Sequence, residues 1–184
     1  MNCYVYLKKT DPATYNNKAM HDLAYEMLDE ILVEKYNINL NSCEIVTNEH
    51  GKPLFSNPAL PFFNISHTRG AVLVCVCDCN IGCDVEHERK LSEAMIKRVF
   101  NEQELKIEKG PKLLLWTFKE AYLKMIGTGI FNKSHKPDEI YPNMVKQGTL
   151  LTCNNISYYQ FINENIYGTI CMDTSLPVSM VIIA

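Results

Sequence analysis

The sequence predicts an α+β fold of two pseudo-symmetric α+β halves, each a small, mainly antiparallel sheet packed on helices. Three observations lead there. The strand-like and helix-like segments run in the order strand, helix, strands, and then strand, helices, strands. Two long stretches place apolar residues three and four apart, the spacing of one buried helix face. Consecutive strand-like runs are separated by short polar turns such as Asp78-Cys79-Asn80 and Asn163-Glu164-Asn165. The division falls at residues 78–81. Residues 1–79 and 80–184 are expected as the two halves of one globular unit.

Taken in order, residues 3–7 alternate aromatic and β-branched side chains and predict a short strand. A helix is expected over 17–36, with Leu23, Met27, Leu28, Ile31 and Leu32 on its buried stripe. Residues 43–46 suggest a strand, and Glu49-His50-Gly51-Lys52-Pro53 a turn. Residues 64–67 read as a short loop before a strand over 71–77, which returns over 81–86. Helices are expected over 91–100 and from about 101–106. Another opens at Pro111, where a missing N–H costs little, and stops at Gly127-Thr128-Gly129. Residues 130–143 are polar and contain proline, and read as loop. Strands over 149–153, 156–162, 167–172 and 178–183 complete the chain.

The 184 residues suffice for one ordinary domain or two small fused halves, and 47% are hydrophobic against 21% charged, as in soluble globular proteins. A formal net charge of −3 gives no sign of general nucleic-acid binding. No apolar run approaches the roughly 18 residues that span a bilayer, so no membrane insertion is expected. No signal-peptide pattern opens the chain, and the eight cysteines are therefore expected as free thiols in the cytoplasm. Cys75, Cys77, Cys79 and Cys83 lie close in sequence but lack the paired spacing of structural zinc sites, so buried thiols are the expected reading and zinc the alternative.

Asp84 and Glu86 are two apart on an expected strand, so both point to one face. Alone they read as surface acids. Glu120 and Lys124 are four apart on one helical face, which alone reads as a surface ion pair. That helix, however, carries Leu113, Leu114, Trp116, Phe118 and Tyr122, which buries much of it. A third carboxylate opposite Asp84 and Glu86 would complete an oxygen-ligand site for a hard cation such as Mg²⁺, and could take a proton from an attacking hydroxyl. Ser66 and His67 are donors for phosphate oxygens, and Gly51-Lys52-Pro53 sets a cation on a stiff turn.

The pieces occur in order: Gly51-Lys52-Pro53, Phe63-Asn64-Ile65-Ser66-His67, Ile81-Gly82-Cys83-Asp84-Val85-Glu86, Trp116-Thr117-Phe118-Lys119-Glu120-Ala121-Tyr122-Leu123-Lys124 and Gly127-Thr128-Gly129. In this the chain resembles the 4′-phosphopantetheinyl transferase superfamily, and most the type that activates peptide and polyketide synthetases. The resemblance implies transfer of the 4′-phosphopantetheine of coenzyme A to a serine of an apo acyl or peptidyl carrier protein, leaving adenosine 3′,5′-bisphosphate. It implies Mg²⁺ on Asp84, Glu86 and Glu120, with Glu120 also as general base and Lys124 neutralising the transferring phosphate. Lys52, Pro53, Ser66 and His67 would hold the coenzyme A phosphates and nucleotide on the N-terminal side, and the enzyme would be a monomer. The N-terminal half is short for this type. Met20 stands where an arginine is usual, with Lys18, His21, Lys8 and Lys9 as the neighbouring cations. The short half keeps a second reading in view, a catalytically degenerate coenzyme A- or carrier-binding protein. Arg89, Lys90, Lys97 and Arg98, with Met95, Ile96 and Phe100 among them, suit an acidic helical partner; alternatively they are the solvated side of an amphipathic helix.

Overall fold

In the computed structural model, residues 1–14, 16–106, 112–128, 148–153 and 155–183 are described. Pro111, Gly129 and the expected loop over 130–143 lie outside them. Strand β1 (Asn2–Lys9) is followed by helix α1 (Asn17–Ile31), then strands β2 (Ile45–Thr47), β3 (Pro53–Phe55), β4 (Phe62–Thr68), β5 (Ala71–Cys77) and β6 (Ile81–His87). Helices α2 (Glu93–Val99), α3 (Glu102–Leu105) and α4 (Lys112–Ile126) come next, and strands β7 (Leu150–Cys153), β8 (Ile156–Asn163), β9 (Ile166–Met172) and β10 (Ser179–Ile183) close the chain. The class is α+β, with two four-stranded, mainly antiparallel sheets packed on helices.

One sheet has the order β10-β1-β5-β4 and the other β6-β9-β8-β7, with β2 and β3 a separate two-stranded ribbon. The last strand crosses the boundary expected at 78–81: β10 pairs parallel with β1 in the first sheet, Val5 opposite Ile182. Hydrophobic alternation alone marks 178–183 as a strand but carries no information on its partner.

The four layers follow from period-two patterning. On β5 every residue is buried. Val72, Val74 and Val76 face α1, where Met20, Ala24, Met27, Leu28 and Ile31 form the buried stripe. Leu73, Cys75 and Cys77 turn the other way, with Cys3, Val5 and Leu7, onto Cys83, Val85, Ile166, Ile170 and Met172 of the second sheet. The far side of that sheet meets α4 through Tyr158, Tyr167 and Cys171 against Leu114, Phe118, Ala121 and Met125. Each such buried aliphatic or aromatic side chain contributes about 1.5–3 kcal/mol relative to an exposed one.

Helix α1 starts where Asn16 accepts from the N–H groups of Lys18 and Ala19. The sequence pattern carries it to residue 36. Its last turn instead widens into a π-helical turn, Leu32–Tyr36, which Asn37 closes in the left-handed conformation (φ 55°). Residues 64–67 are not a loop but the middle of β4, which pairs with β5 across its whole length and turns at Gly70 (φ 91°). The expected free thiols are found at Cys3, Cys43, Cys75, Cys77, Cys79, Cys83 and Cys171, all but Cys43 buried.

Candidate active site

Strand β4 lies at the edge of the first sheet and β6 at the edge of the second. Alternate side chains of β4 join the two edges. Asn64 Oδ1 accepts from Cys83 N at 2.8 Å, Ser66 Oγ from Val85 N at 3.3 Å and Thr68 Oγ1 from His87 N at 3.2 Å. These side chains satisfy backbone N–H groups that no strand reaches. The period-two polar run Asn64-Ile65-Ser66-His67-Thr68 therefore exists first to seam two sheets, and this seam fixes β6.

Gly82 brings the helix to the strand. A Cβ there would stand 2.1 Å from Ala121 O and 2.3 Å from Met125 N, so only glycine lets α4 lie directly on β6. Asp84 and Glu86 point to the same face as Gly82, and Glu120 and Lys124 come down onto it. Ile65, Ser66, His67, Asp84, Val85, Glu86, Glu120 and Lys124 line one open pocket of about 330 Å³.

Within it, Asp84 Oδ1 accepts from Lys124 Nζ at 2.7 Å and from Ser66 Oγ at 3.0 Å, while its Oδ2 is buried without a partner. Lys124 also donates to Ser66 Oγ at 3.0 Å, which leaves that hydroxyl with its donor and both acceptor sites in use. Glu86 is gripped by Arg89 and by Trp116 Nε1. Glu120 has no hydrogen bond among the described residues. Burial, and then the charge of Asp84, push its carboxyl up to about 7. Burial likewise raises the Asp84 carboxyl, with Lys124 opposing. Lys124 is held above the usual lysine range: burial works against its charge, but Asp84, Cys83 and Glu120 outweigh it. His67 Nδ1 is buried and unpartnered, and burial together with the Lys124 charge lowers its pKa.

Six of the residues expected from the sequence thus meet in one pocket: Ser66, His67, Asp84, Glu86, Glu120 and Lys124. Lys52 and Pro53 do not line it. Lys52 Nζ instead donates to Asn80 Oδ1 (2.8 Å), Met125 O (2.8 Å) and Ile81 O (3.1 Å), tying the turn before β3 to the β5–β6 hairpin and the end of α4. With Asn48, Phe55, Phe63 and Gly127 it lines a neighbouring, largely apolar cavity of about 470 Å³. Among the described residues no three His, Cys, Asp or Glu side chains stand close enough to hold a metal ion. Lys124 and Arg89 neutralise two of the three carboxylates. By chemistry rather than by present spacing the donors suit a hard divalent cation: all three groups are carboxylates, Asp84 Oδ2 is orphaned, and burial, followed by the charge of Asp84, raises Glu120.

The sequence pattern of the second sheet and α4 has been seen before. The model of the 4′-phosphopantetheinyl transferase superfamily matches residues 80–170, about half of the chain. That stretch, from β6 into β9, is what the chain shares with the superfamily. It is 28% identical over 123 residues to the 4′-phosphopantetheinyl transferase gsp of Aneurinibacillus migulanus, covering 60% of this chain and 51% of that one. It is 27% identical over 122 residues to psf-1, a 4′-phosphopantetheinyl transferase of Bacillus pumilus, covering 59% and 52%. The chain spans about half the length of the curated relatives it matches. The family match includes Asp84, Glu86, Glu120 and Lys124 and leaves β4 outside.

Three features of the site are not visible as motifs. Arg89 and Trp116 hold Glu86. Lys119, beside Glu120, is buried in an ion pair with Glu104 at 2.6 Å and donates to Val99 O. Asn80 caps the end of α4 through Met125 O at 2.8 Å. A lysine next to Glu120 on a largely apolar helix is the one signal that could have pointed to a partner, because a buried charge is not left unpaired.

Proposed function

We propose that this protein transfers the 4′-phosphopantetheine group of coenzyme A to a serine of an apo acyl or peptidyl carrier protein. The serine hydroxyl attacks the β-phosphate of coenzyme A. The bond to the adenosine-side phosphate breaks, a proton leaves the serine, and holo carrier and adenosine 3′,5′-bisphosphate are released. The observation that carries this reading is the single pocket in which Glu120, unbonded among the described residues, stands beside the Asp84–Lys124 pair.

The chain's own groups have distinct tasks. Glu120 accepts the serine proton, directly or through a water, and burial keeps its basicity suited to neutral pH. Lys124 offsets negative charge on the transferring phosphate and is held in place by Asp84 and Ser66. His67 lines the pocket and would donate from its ring to a coenzyme A phosphate. Asp84, Glu86 and Glu120 would hold Mg²⁺, which supplies a cation for the diphosphate. Lys52 acts by fastening the junction and lining the cavity beside the pocket, with Pro53 next to it in the chain. Arg89, Lys90, Lys97 and Arg98 form a basic rim for an acidic carrier, while Met95, Ile96 and Phe100 pack inward on the core. The reading includes a monomer working in the cytoplasm.

The test is to incubate the protein with coenzyme A, Mg²⁺ and several apo carriers and to measure the intact mass of each carrier. A phosphopantetheine adduct, lost in Glu120→Ala and Asp84→Ala, is expected. If no carrier gains the adduct while coenzyme A still binds, the degenerate binding protein is the correct reading.

A further inference from the structure

Glu86 is held as neither Asp84 nor Glu120 is. Its Oε1 accepts from Arg89 Nη2 at 2.8 Å and from Trp116 Nε1 at 3.1 Å, and its Oε2 accepts from Arg89 Nε at 3.1 Å. The guanidinium lies over the Trp116 ring, 5.6 Å from the centroid. The carboxylate is therefore clamped by a two-bond fork and a third donor, the fork itself stacked on the ring that supplies that donor. Glu86 still lines the same pocket as Asp84 and Glu120. Its engagement with Arg89 leaves two of the three carboxylates neutralised by the chain's own cations. Arg89 is the exposed member, with 36% of its side chain accessible against 19% for Glu86, so it can leave toward water without stranding a buried charge.

Resting on the reading that these carboxylates hold a divalent cation, we propose that Arg89 is a positioning residue that occupies Glu86 until the cation loads and is then exchanged for it. The exchange follows from charge. A guanidinium and a divalent cation on one carboxylate repel each other, and the exposed fork is the weaker hold of the two. Once released, the guanidinium stays beside Lys90, Lys112 and the acidic Glu88 at a cavity of about 370 Å³ that Leu91, Ile96, Leu113 and Tyr167 also line. Cation loading thereby adds one positive charge to the rim. The pocket becomes competent and the rim more basic in the same step.

Trp116 is the only tryptophan in the chain, so its fluorescence reports the state of this clamp directly. The full chain, stripped of metal, is titrated with Mg²⁺ while Trp116 emission is followed. Affinity is measured separately with Mn²⁺ by the electron paramagnetic resonance of the free ion. In the wild type, emission is expected to change over the Mg²⁺ range in which binding saturates. Arg89→Gln is expected to bind Mn²⁺ about five- to tenfold more tightly, and its emission to respond little. Arg89→Lys keeps the charge but not the fork, and is expected to bind about threefold more tightly. Wild-type affinity in Arg89→Lys would reduce the role of Arg89 to its field and overturn the exchange. So would unchanged or weaker binding in Arg89→Gln, or an indifferent Trp116 while metal binds. If Mn²⁺ binds neither wild type nor any variant, the metal reading itself falls, and the exchange with it.

Discussion

Lys52 and Lys124 both carry an ammonium into the junction between the two sheets, but they meet different partners. Lys52 is surrounded by neutral acceptors, one amide oxygen and two backbone carbonyls. Burial without a counter-charge lowers its pKa to about 8. Lys124 meets the Asp84 carboxylate and is driven the other way. The difference separates two kinds of polar contact that look alike in a sequence. A carbonyl cage fixes geometry and has nothing to exchange. A carboxylate pair at the mouth of a pocket can be parted by an incoming anion, since the phosphate offers Lys124 what Asp84 offers now. Under the proposed function, Lys52 is a fastener by this criterion, and Lys124 a working group.

The largest expected effect tests that distinction. Lys124→Ala should lower kcat for carrier modification by about 10²–10³-fold, the range for removing one charge-stabilising donor from a transition state. It should also lower the urea midpoint, because it strands the buried Asp84 carboxylate, whose Oδ2 already lacks a partner, so kcat is compared at a temperature where the variant remains folded. A kcat within about threefold of wild type would make Lys124 a second fastener. Next in size is the buried pair one residue from Glu120. Lys119→Met strands Glu104, whose other oxygen is already unpartnered, and should destabilise the fold by about 3–5 kcal/mol in urea denaturation. Lys52→Met follows, at about 1–3 kcal/mol for carbonyls left without a donor. Its kcat is expected to stay near wild type at a temperature where it remains folded. A KM for coenzyme A raised tenfold with stability intact would instead return Lys52 to the ligand.

Much of this was legible from residue order alone. The strand faces of Asp84 and Glu86, the helical face of Glu120 and Lys124, and the α+β class all follow from local periodicity, and local periodicity does not depend on the rest of the chain. What the sequence left open depends on distant partners. Lys52 has the same chemistry whether it faces a phosphate or Met125 O, and 73 residues separate it from that carbonyl. Ser66 looks like a free phosphate donor until β6 is seen beside it, with Val85 N–H on one lone pair and Asp84 Oδ1 taking its proton. The pairing of β10 with β1 joins opposite ends of the chain. Gly82 is the exception: a glycine inside a strand marks a close backbone approach, and here the approaching element is α4 itself.

The smallest expected effect is on the pH profile, and it discriminates best because both Glu120 and Lys52 titrate near neutrality. A general base works deprotonated. With the Glu120 carboxyl pushed up to about 7, about half of it is active at pH 7 and about nine-tenths at pH 8. At low Mg²⁺, kcat/KM should therefore rise less than about twofold between pH 7 and pH 8, and fall about fivefold from pH 7 to pH 6. Saturating Mg²⁺ should move this inflection to lower pH, since a cation beside the carboxylates favours the charged form. Lys52 acts on stability instead, and with its own sign. Its folded pKa, about 8, lies below its unfolded value, so between pH 8 and about 10.4 the unfolded chain binds the extra proton and stability rises with pH. Lys52→Met should lose that rise in urea midpoint and keep the kcat/KM inflection near 7, whereas Glu120→Gln should keep the rise and lose the inflection. An inflection that disappears in Lys52→Met would mean that the fastener, not the carboxylate, sets the working pH, and that the two lysines are not as different as their partners make them.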